Sequence, residues 1–140
     1  MALKFSRKDL AAFVETVFEQ VSGDFSIEAL ETEFIRVRLN VGPQHLRPGG
    51  TVSGPAMFGL ADVTAYFMTL ARIGPEALTV TTNCSIDFLR KPAAGSDLIA
   101  EGRLLKLGRS LAITDVLIRS EGEDVVVARA SLTYSIPPAR

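Results

Sequence analysis

A glycine and an aspartate eight residues apart are the residues of this chain best suited to chemistry. Gly54 follows a glycine-rich loop and opens an apolar helical stretch, and Asp62 lies two turns further along it. A helix start offers free backbone N–H groups to a negative oxygen. An ionised carboxylate on an apolar helix costs free energy unless it is paired or used. A general base and an oxyanion site are what the attack of water on an acyl group requires.

Each of these two residues also has a simpler interpretation. Asp62 could accept a backbone or serine hydrogen bond at an interface, and Gly54 could serve turn geometry alone. Pro55 has no N–H, so Gly54 would have to polarise an acyl oxygen without help from its neighbour.

Other polar residues could assist such a reaction. Thr82 is expected on the inner face of its strand, where its hydroxyl could orient a water molecule or bond to Asp62, and its outward neighbour Thr81 is the second choice. Threonine is nevertheless common in strands without a special role. The only histidine, His45, could orient substrate or be merely solvated, and no serine and aspartate near it complete a triad. Basic residues at predicted strand ends could bind phosphates of a nucleotide-bearing thioester or be surface charges: Arg90, Lys91, Lys106 and Arg109.

Composition excludes several classes of function. The 140 residues carry a net charge of −1 without a basic block, which argues against a nucleic-acid partner. A single cysteine, Cys84, cannot form an internal disulfide, argues against a zinc cluster and is expected in the core. Without a signal peptide or a membrane-length apolar run, the chain is expected to be a cytoplasmic domain over 1–140 that binds no metal and no separate cofactor.

Hydrophobic periodicity predicts two helices and five strands. The second helix is apolar on nearly every side, which predicts that it is buried, with Pro55 at its first position. Short links join the last four strands, so neighbouring strands should be antiparallel and one curled sheet should enclose this helix. A dimer would cover an edge of such a sheet. The predicted helices span 6–21 and 55–73, and the strands span about 31–41, 80–88, 97–107, 112–118 and 126–136.

The first of these helices has recognisable ends. Ser6 is placed to cap it, with Asp9 three residues on, and Gly23 is expected to end it. Its apolar stripe consists of Leu10, Phe13, Val14, Val17, Phe18 and Val21.

Three segments resemble a known family. The run from His45 to Pro55 followed by Leu60-Ala61-Asp62 is similar to the core motif of hotdog-fold acyl-CoA thioesterases, with the phenylacetyl-CoA thioesterase-like branch nearest. The interval from Gly54 to Asp62 matches that motif. The later stretches 88–98 and 107–112 match as well, and the resemblance covers roughly residues 30–136.

The resemblance implies an α+β hotdog fold, here a five-stranded antiparallel sheet wrapped around a long central helix, plus the N-terminal helix. It implies dimers, often paired into tetramers, with the site at the dimer interface. Asp62 of one subunit would be general base or nucleophile, the Gly54 N–H of the facing subunit would polarise the thioester carbonyl, and Thr82 would help align water. Coenzyme A would be present only as part of the substrate.

The chain departs from the family's pattern at three positions. Arg47 stands where the family has asparagine, Ser53 where it has histidine, and Pro55 where it has a second glycine, whereas His45 matches the motif's first histidine. The residues expected to contact substrate are His45, Arg47, Ser53, Tyr66, Arg90, Lys91 and Arg109.

The expected activity is hydrolysis of a small or medium acyl- or aryl-acyl-CoA. Two alternatives stay open. The three departures could mark a non-catalytic acyl-CoA-binding protein. A 3-hydroxyacyl thioester dehydratase would need His45 as its histidine, and the seventeen residues between it and Asp62 do not match that pair.

Overall fold

The computed structural model describes residues 2–21 and 23–138. Two helices, α1 (Arg7–Val17) and α2 (Gly54–Ile73), accompany one antiparallel sheet, with short 3-10 turns at Glu19–Val21 and Pro43–His45. The strands are β1 (Phe25–Glu31), β2 (Phe34–Leu39), β3 (Val80–Phe88), β4 (Leu98–Leu107), β5 (Leu111–Ser120) and β6 (Val126–Ser135). Their order in the sheet is β1-β2-β4-β5-β6-β3, so β1 and β3 are its edges.

The sheet wraps around α2, which contacts every strand from β2 to β6. The helix is long and apolar enough to cross a membrane by length and composition alone, but 72% of its most apolar window is buried inside the protein. It begins at Gly54, one residue earlier than predicted, so Pro55 occupies its second position. The predicted α+β architecture with a buried central helix is confirmed.

The sheet has six strands rather than the predicted five. The expected strand over 31–41 is the second arm of a hairpin, in which β1 pairs with β2 across the turn at 32–33. The pattern of β1 was weak because Ile27 alone is buried and a bulge between Ile27 and Ala29 interrupts the alternation. In β2, alternate residues face the core: Ile35, Val37 and Leu39 are buried, as expected for the half-buried strand predicted over 31–41.

The N-terminal helix is shorter than predicted. Ser6 caps it as expected, its Oγ accepting the Asp9 N–H at 3.1 Å. The helix ends at Phe18, whose backbone leaves helical geometry (φ −133°, ψ 53°), and not at Gly23. Leu10 and Val14 carry the buried stripe, and Val21, also assigned to it, has a side chain outside the described part. Phe18 packs edge-on against Tyr66, with ring centroids 5.9 Å apart, which places the end of α1 beside the middle of α2.

A glycine allows α2 to lie close to the sheet. An added Cβ at Gly102 on β4 would lie 3.0 Å from Thr64 Cγ2 and 3.2 Å from Ile35 Cγ2. No side chain fits between helix and sheet at this point without displacing one of these neighbours.

We expect Gly102→Ala to lower the free energy of unfolding by about 1–2 kcal/mol, because the methyl group overpacks the contact between Gly102 and Thr64. Urea denaturation followed by circular dichroism measures the change. Lys106→Ala, an exposed position on the same strand, serves as the control and should stay within about 0.5 kcal/mol of wild type. Equal stability of the two variants would contradict the packing argument.

Candidate active site

The Asp62 carboxylate is held by two hydroxyl groups from neighbouring strands. Thr81 Oγ1 donates to Asp62 Oδ1 at 2.6 Å, and Tyr134 Oη donates to the same oxygen at 2.7 Å and to the Asp62 backbone oxygen at 3.0 Å. Within residues 2–21 and 23–138, Asp62 forms no ion pair and no donor reaches Oδ2. Neutral donors stabilise the ionised carboxylate without cancelling its charge, so one oxygen remains available to accept a proton.

The hydroxyl beside Asp62 belongs to Thr81 and not to Thr82, the first choice from the sequence. A bulge between Thr81 and Asn83 leaves Thr82 as an extra residue in the pairing with β6. Thr82 is exposed and donates instead to the Thr133 backbone oxygen at 3.3 Å. Since one inserted residue reverses which side chains face inward, the alternation assigned to the start of this strand is wrong by one position.

Tyr134, within the strand predicted over 126–136, was missed as a functional residue. Its side chain is buried, and its ring lies 5.8 Å from that of Tyr66. Burial and the nearby Asp62 charge raise the pKa of Tyr134, so the phenol keeps its proton at neutral pH and acts as a donor. The available signal was the residue type, because an inward-facing tyrosine must find a partner for its hydroxyl.

Cys84 lies close enough to Asp62 to sense its charge. Burial, together with that charge, raises the pKa of the Cys84 thiol. A protonated thiol is a poor nucleophile, so Cys84 acts as a packing residue, although it is only partly buried against the core where the sequence predicted a core residue.

Asp62 opens into a pocket of about 340 Å³ with aromatic walls. Phe18, Tyr66 and Tyr134 form these walls, and the Tyr66 hydroxyl is occupied by the Ala77 backbone oxygen at 2.9 Å. The burial of Tyr66 raises its pKa. Tyr66, which was predicted to contact substrate, therefore lies beside Asp62 as one aromatic side of a pocket that polar and apolar groups line together. The remaining lining residues are Val17, Gln20, Ala77, Thr79, Val80 and Thr81.

The start of α2 leaves one backbone donor free. Ser53 is the N-cap, its Oγ accepting the Ala56 N–H at 3.2 Å and its backbone oxygen the Met57 N–H at 3.1 Å. Pro55 has no N–H. Of the first-turn donors, Gly54 N–H alone has no acceptor among the described residues, and the helix dipole makes it attractive to an oxyanion.

Gly54 and Asp62 do not meet within one chain. Eight residues of α-helix separate them by about 12 Å along the axis. Gly54 lines a second cleft of about 310 Å³, together with Phe88 and three of the predicted basic residues, Arg47, Arg90 and Lys91. Arg109, in the turn between β4 and β5, lines neither cleft.

His45 is buried, so the solvated interpretation was wrong. Its Nδ1 accepts the Gly42 N–H at 2.8 Å, and its Nε2 lies 3.6 Å from an Asp24 carboxylate oxygen. Its backbone oxygen accepts the Ser53 N–H at 2.8 Å. His45 thereby connects the loop directly to the cap of α2, and both ring nitrogens face partners in its own chain.

The loop that carries His45 is held by hydrogen bonds at its first end and shaped by two glycines at its second end. Asp97 bridges the end of β2, accepting the Val41 N–H at 3.0 Å and an Arg38 guanidinium N–H at 3.0 Å. At the other end, Gly49 and Gly50 adopt left-handed backbone angles (φ 102° and 87°) that other residues rarely take. The loop therefore delivers the chain to the helix start in a fixed direction.

Comparison with known proteins identifies the family of this chain. The family model of the thioesterase superfamily matches residues 49–134. A Silicibacter sp. TM1040 protein assigned as a thioesterase has a crystal structure that superposes with a TM-score of 0.93, at 58% identity over 99% of this chain and 96% of that one. A Pseudomonas aeruginosa protein assigned as an esterase is 33% identical over 72% of this chain and 74% of its own length.

A more distant likeness extends the fold comparison. The crystal structure of a Streptococcus mutans UA159 protein bound to acetyl-CoA has a TM-score of 0.73, at 24% identity over 86% of this chain and 94% of that chain. The match to the family model over more than half of the chain, the sheet wrapped around α2 and the Asp62 site together show that this chain belongs to the thioesterase superfamily and has the hotdog fold.

Proposed function

We propose that this protein is an acyl-CoA thioesterase that hydrolyses a small or medium acyl- or aryl-acyl-CoA to the free acid and CoA. The observation that carries the proposal is the Asp62 carboxylate, which is held on one oxygen by two neutral donors and opens with the other onto an aromatic-walled pocket. The acetyl-CoA bound by the Streptococcus mutans relative of this fold supports a CoA thioester as ligand.

The complete site needs two subunits, because the oxyanion donor and the base are about 12 Å apart within one helix. The edge strand β3 is unpaired on one side and exposes Val80 (56%) and Phe88 (51%) at its opposite ends. Val80 lines the Asp62 pocket, and Phe88 lines the Gly54 cleft. Antiparallel pairing of two β3 strands about a twofold axis would bring the pocket of one subunit against the cleft of the other.

The chemistry then follows from these two groups. The thioester carbonyl oxygen would accept the Gly54 N–H of one subunit while Asp62 of the other removes a proton from water or attacks the carbonyl carbon itself. Collapse of the tetrahedral intermediate breaks the C–S bond. In the general-base route, the proton taken up by Asp62 passes to the departing CoA thiolate and the free acid is formed directly. In the nucleophilic route, collapse releases the CoA thiolate, which takes a proton from water, and leaves a mixed anhydride on Asp62 that a second water hydrolyses to the free acid. Arg47, Arg90 and Lys91 line the same cleft as Gly54 and would bind the CoA phosphates. The reaction requires neither a metal nor a separate cofactor, and we expect it to take place in the cytoplasm.

One specific feature favours a second function, a non-catalytic acyl-CoA-binding protein. Pro55 removes the second N–H that the helix start could offer, and Ser53 is committed to capping. Binding of an acyl-CoA measured by calorimetry, with no thiol released, would favour this alternative. A dehydratase is disfavoured because both nitrogens of His45 face Gly42 and Asp24.

We expect Asp62→Asn to lower kcat for acyl-CoA hydrolysis by about a hundredfold or more, because the amide cannot accept the proton from water. Release of the CoA thiol from a panel of acyl-CoAs measures the rate. Asp124→Asn is the matched control, since Asp124 is an exposed carboxylate in the turn between β5 and β6 and lines neither cleft. A wild-type enzyme that hydrolyses thioesters no faster than Asp62→Asn would contradict the role of Asp62.

Mixing two inactive variants tests the shared site. Gly54→Ala should lower activity about a hundredfold, because a Cβ before Pro55 disfavours the helical backbone angles that aim this N–H. Co-expression with Asp62→Asn should recover about a quarter of wild-type activity, since half of the dimers are mixed and each mixed dimer has one intact site. A mixture that stays inactive would show that the two groups do not act across subunits.

Phe18 should limit the length of the acyl group. It separates the Asp62 pocket from a second cavity of about 250 Å³ that Val14, Phe25 and Phe67 also line. We expect Phe18→Ala to join the two spaces and raise kcat/KM for long relative to short acyl chains about tenfold. The control is Phe13→Ala, whose ring stacks on Phe5 and lines neither space. An unchanged chain-length preference would exclude Phe18 as the limiting residue.

A further inference from the structure

We propose that Tyr134 is a positioning residue for this reaction. Together with Thr81, it fixes the orientation of the Asp62 carboxyl group, so that Oδ2 is the oxygen presented to water or to the thioester. The inference rests on the proposed function, and it assigns a role to a residue 72 positions from Asp62 along the chain.

The contacts form a two-point clamp on one oxygen. Thr81 on β3 and Tyr134 on β6 are directly paired across the two strands, and their hydroxyls reach Asp62 Oδ1 at 2.6 Å and 2.7 Å. Rotation about the Cβ–Cγ bond of Asp62 would exchange its two oxygens only by breaking both hydrogen bonds. A carboxylate restrained in this way keeps its free oxygen aimed, which reduces the reorganisation needed to reach the transition state.

The two hydrogen bonds that the Tyr134 hydroxyl donates both go to Asp62. Besides Oδ1, its hydroxyl contacts the backbone oxygen of that same residue at 3.0 Å. Tyr134 is 4% exposed, and phenylalanine would fill this volume equally well. A buried hydroxyl costs free energy unless it is paired, so its presence here is explained by the carboxylate that it orients.

Tyr134 acts on Asp62 as a hydrogen-bond donor. Burial, together with the Asp62 charge, raises the pKa of Tyr134, so the phenol keeps its proton through neutral pH. No cationic side chain lines this pocket among the described residues, so the hydroxyls of Thr81 and Tyr134 are the groups that hold the carboxylate.

The experiment compares Tyr134→Phe with wild type in kcat and KM. We expect kcat to fall about tenfold or more with KM within about threefold, because a misdirected carboxylate slows the reaction without weakening substrate binding. Thr81→Val should lower kcat in the same way, and Thr81→Ser should restore it. Thr69→Val is the matched control, since its buried hydroxyl bonds to the Ala65 backbone oxygen and it lines neither cleft, and its kcat should stay within about threefold of wild type.

A Tyr134→Phe variant with wild-type kcat would overturn the inference. If Tyr134→Phe does not fold, as judged by circular dichroism, the Thr81→Val and Thr81→Ser pair decides by the same criteria. If the wild type hydrolyses no thioester, the proposed function fails, and crystal structures of wild type and Tyr134→Phe test the clamp by the orientation of the Asp62 carboxyl group. A rotated carboxyl group in the variant supports the clamp without activity, and an unchanged orientation overturns it.

Discussion

The placement of the Asp62 carboxylate on an apolar helix is the interaction on which the site depends. Thirteen residues of α2 are buried, and the sheet wraps around this helix. A carboxylate in that position must be hydrogen-bonded or neutralised. Asp62 is hydrogen-bonded on one oxygen by two neutral hydroxyls and opens with the other onto a pocket. The arrangement fixes one carboxyl oxygen and leaves the other free to act.

Helix geometry imposes the second constraint. The free N–H at Gly54 and the carboxylate at Asp62 lie on one rigid rod, about 12 Å apart. A rigid helix cannot bring its own ends closer, so a reaction that uses both groups on one carbonyl must recruit a second copy of the chain. The unpaired edge strand β3 lies beside both clefts and would provide the continuous surface for that association.

The start of α2 gives a physical account of two departures from the family's motif, Ser53 and Pro55. Ser53 satisfies the donor at the third helical position, which a capping residue must do. Pro55 has no donor at the second position, whereas the Gly54 N–H at the first position has no acceptor among the described residues. The backbone oxygen of His45 accepts the Ser53 N–H and so ties the preceding loop to the cap. Under the proposed mechanism, Gly54 would be the single oxyanion donor of this helix start.

The sequence by itself determined what depends on neighbours along the chain. Hydrophobic periodicity located α2 and the last four strands, and the residue types Ser6 and Asp9 located the cap of α1. The separation of Gly54 and Asp62 followed from their places on one helix. Tertiary structure decided what depends on pairing between distant segments. The bulge opposite β6 put Thr81 rather than Thr82 against Asp62, and strand pairing brought in Tyr134. Packing of the loop against Asp24 and Gly42 buried His45. Hydrophobic periodicity along one strand does not reveal a bulge or a pairing between distant segments. A bulge is defined by how two strands pair, and it changes which side chains face the core.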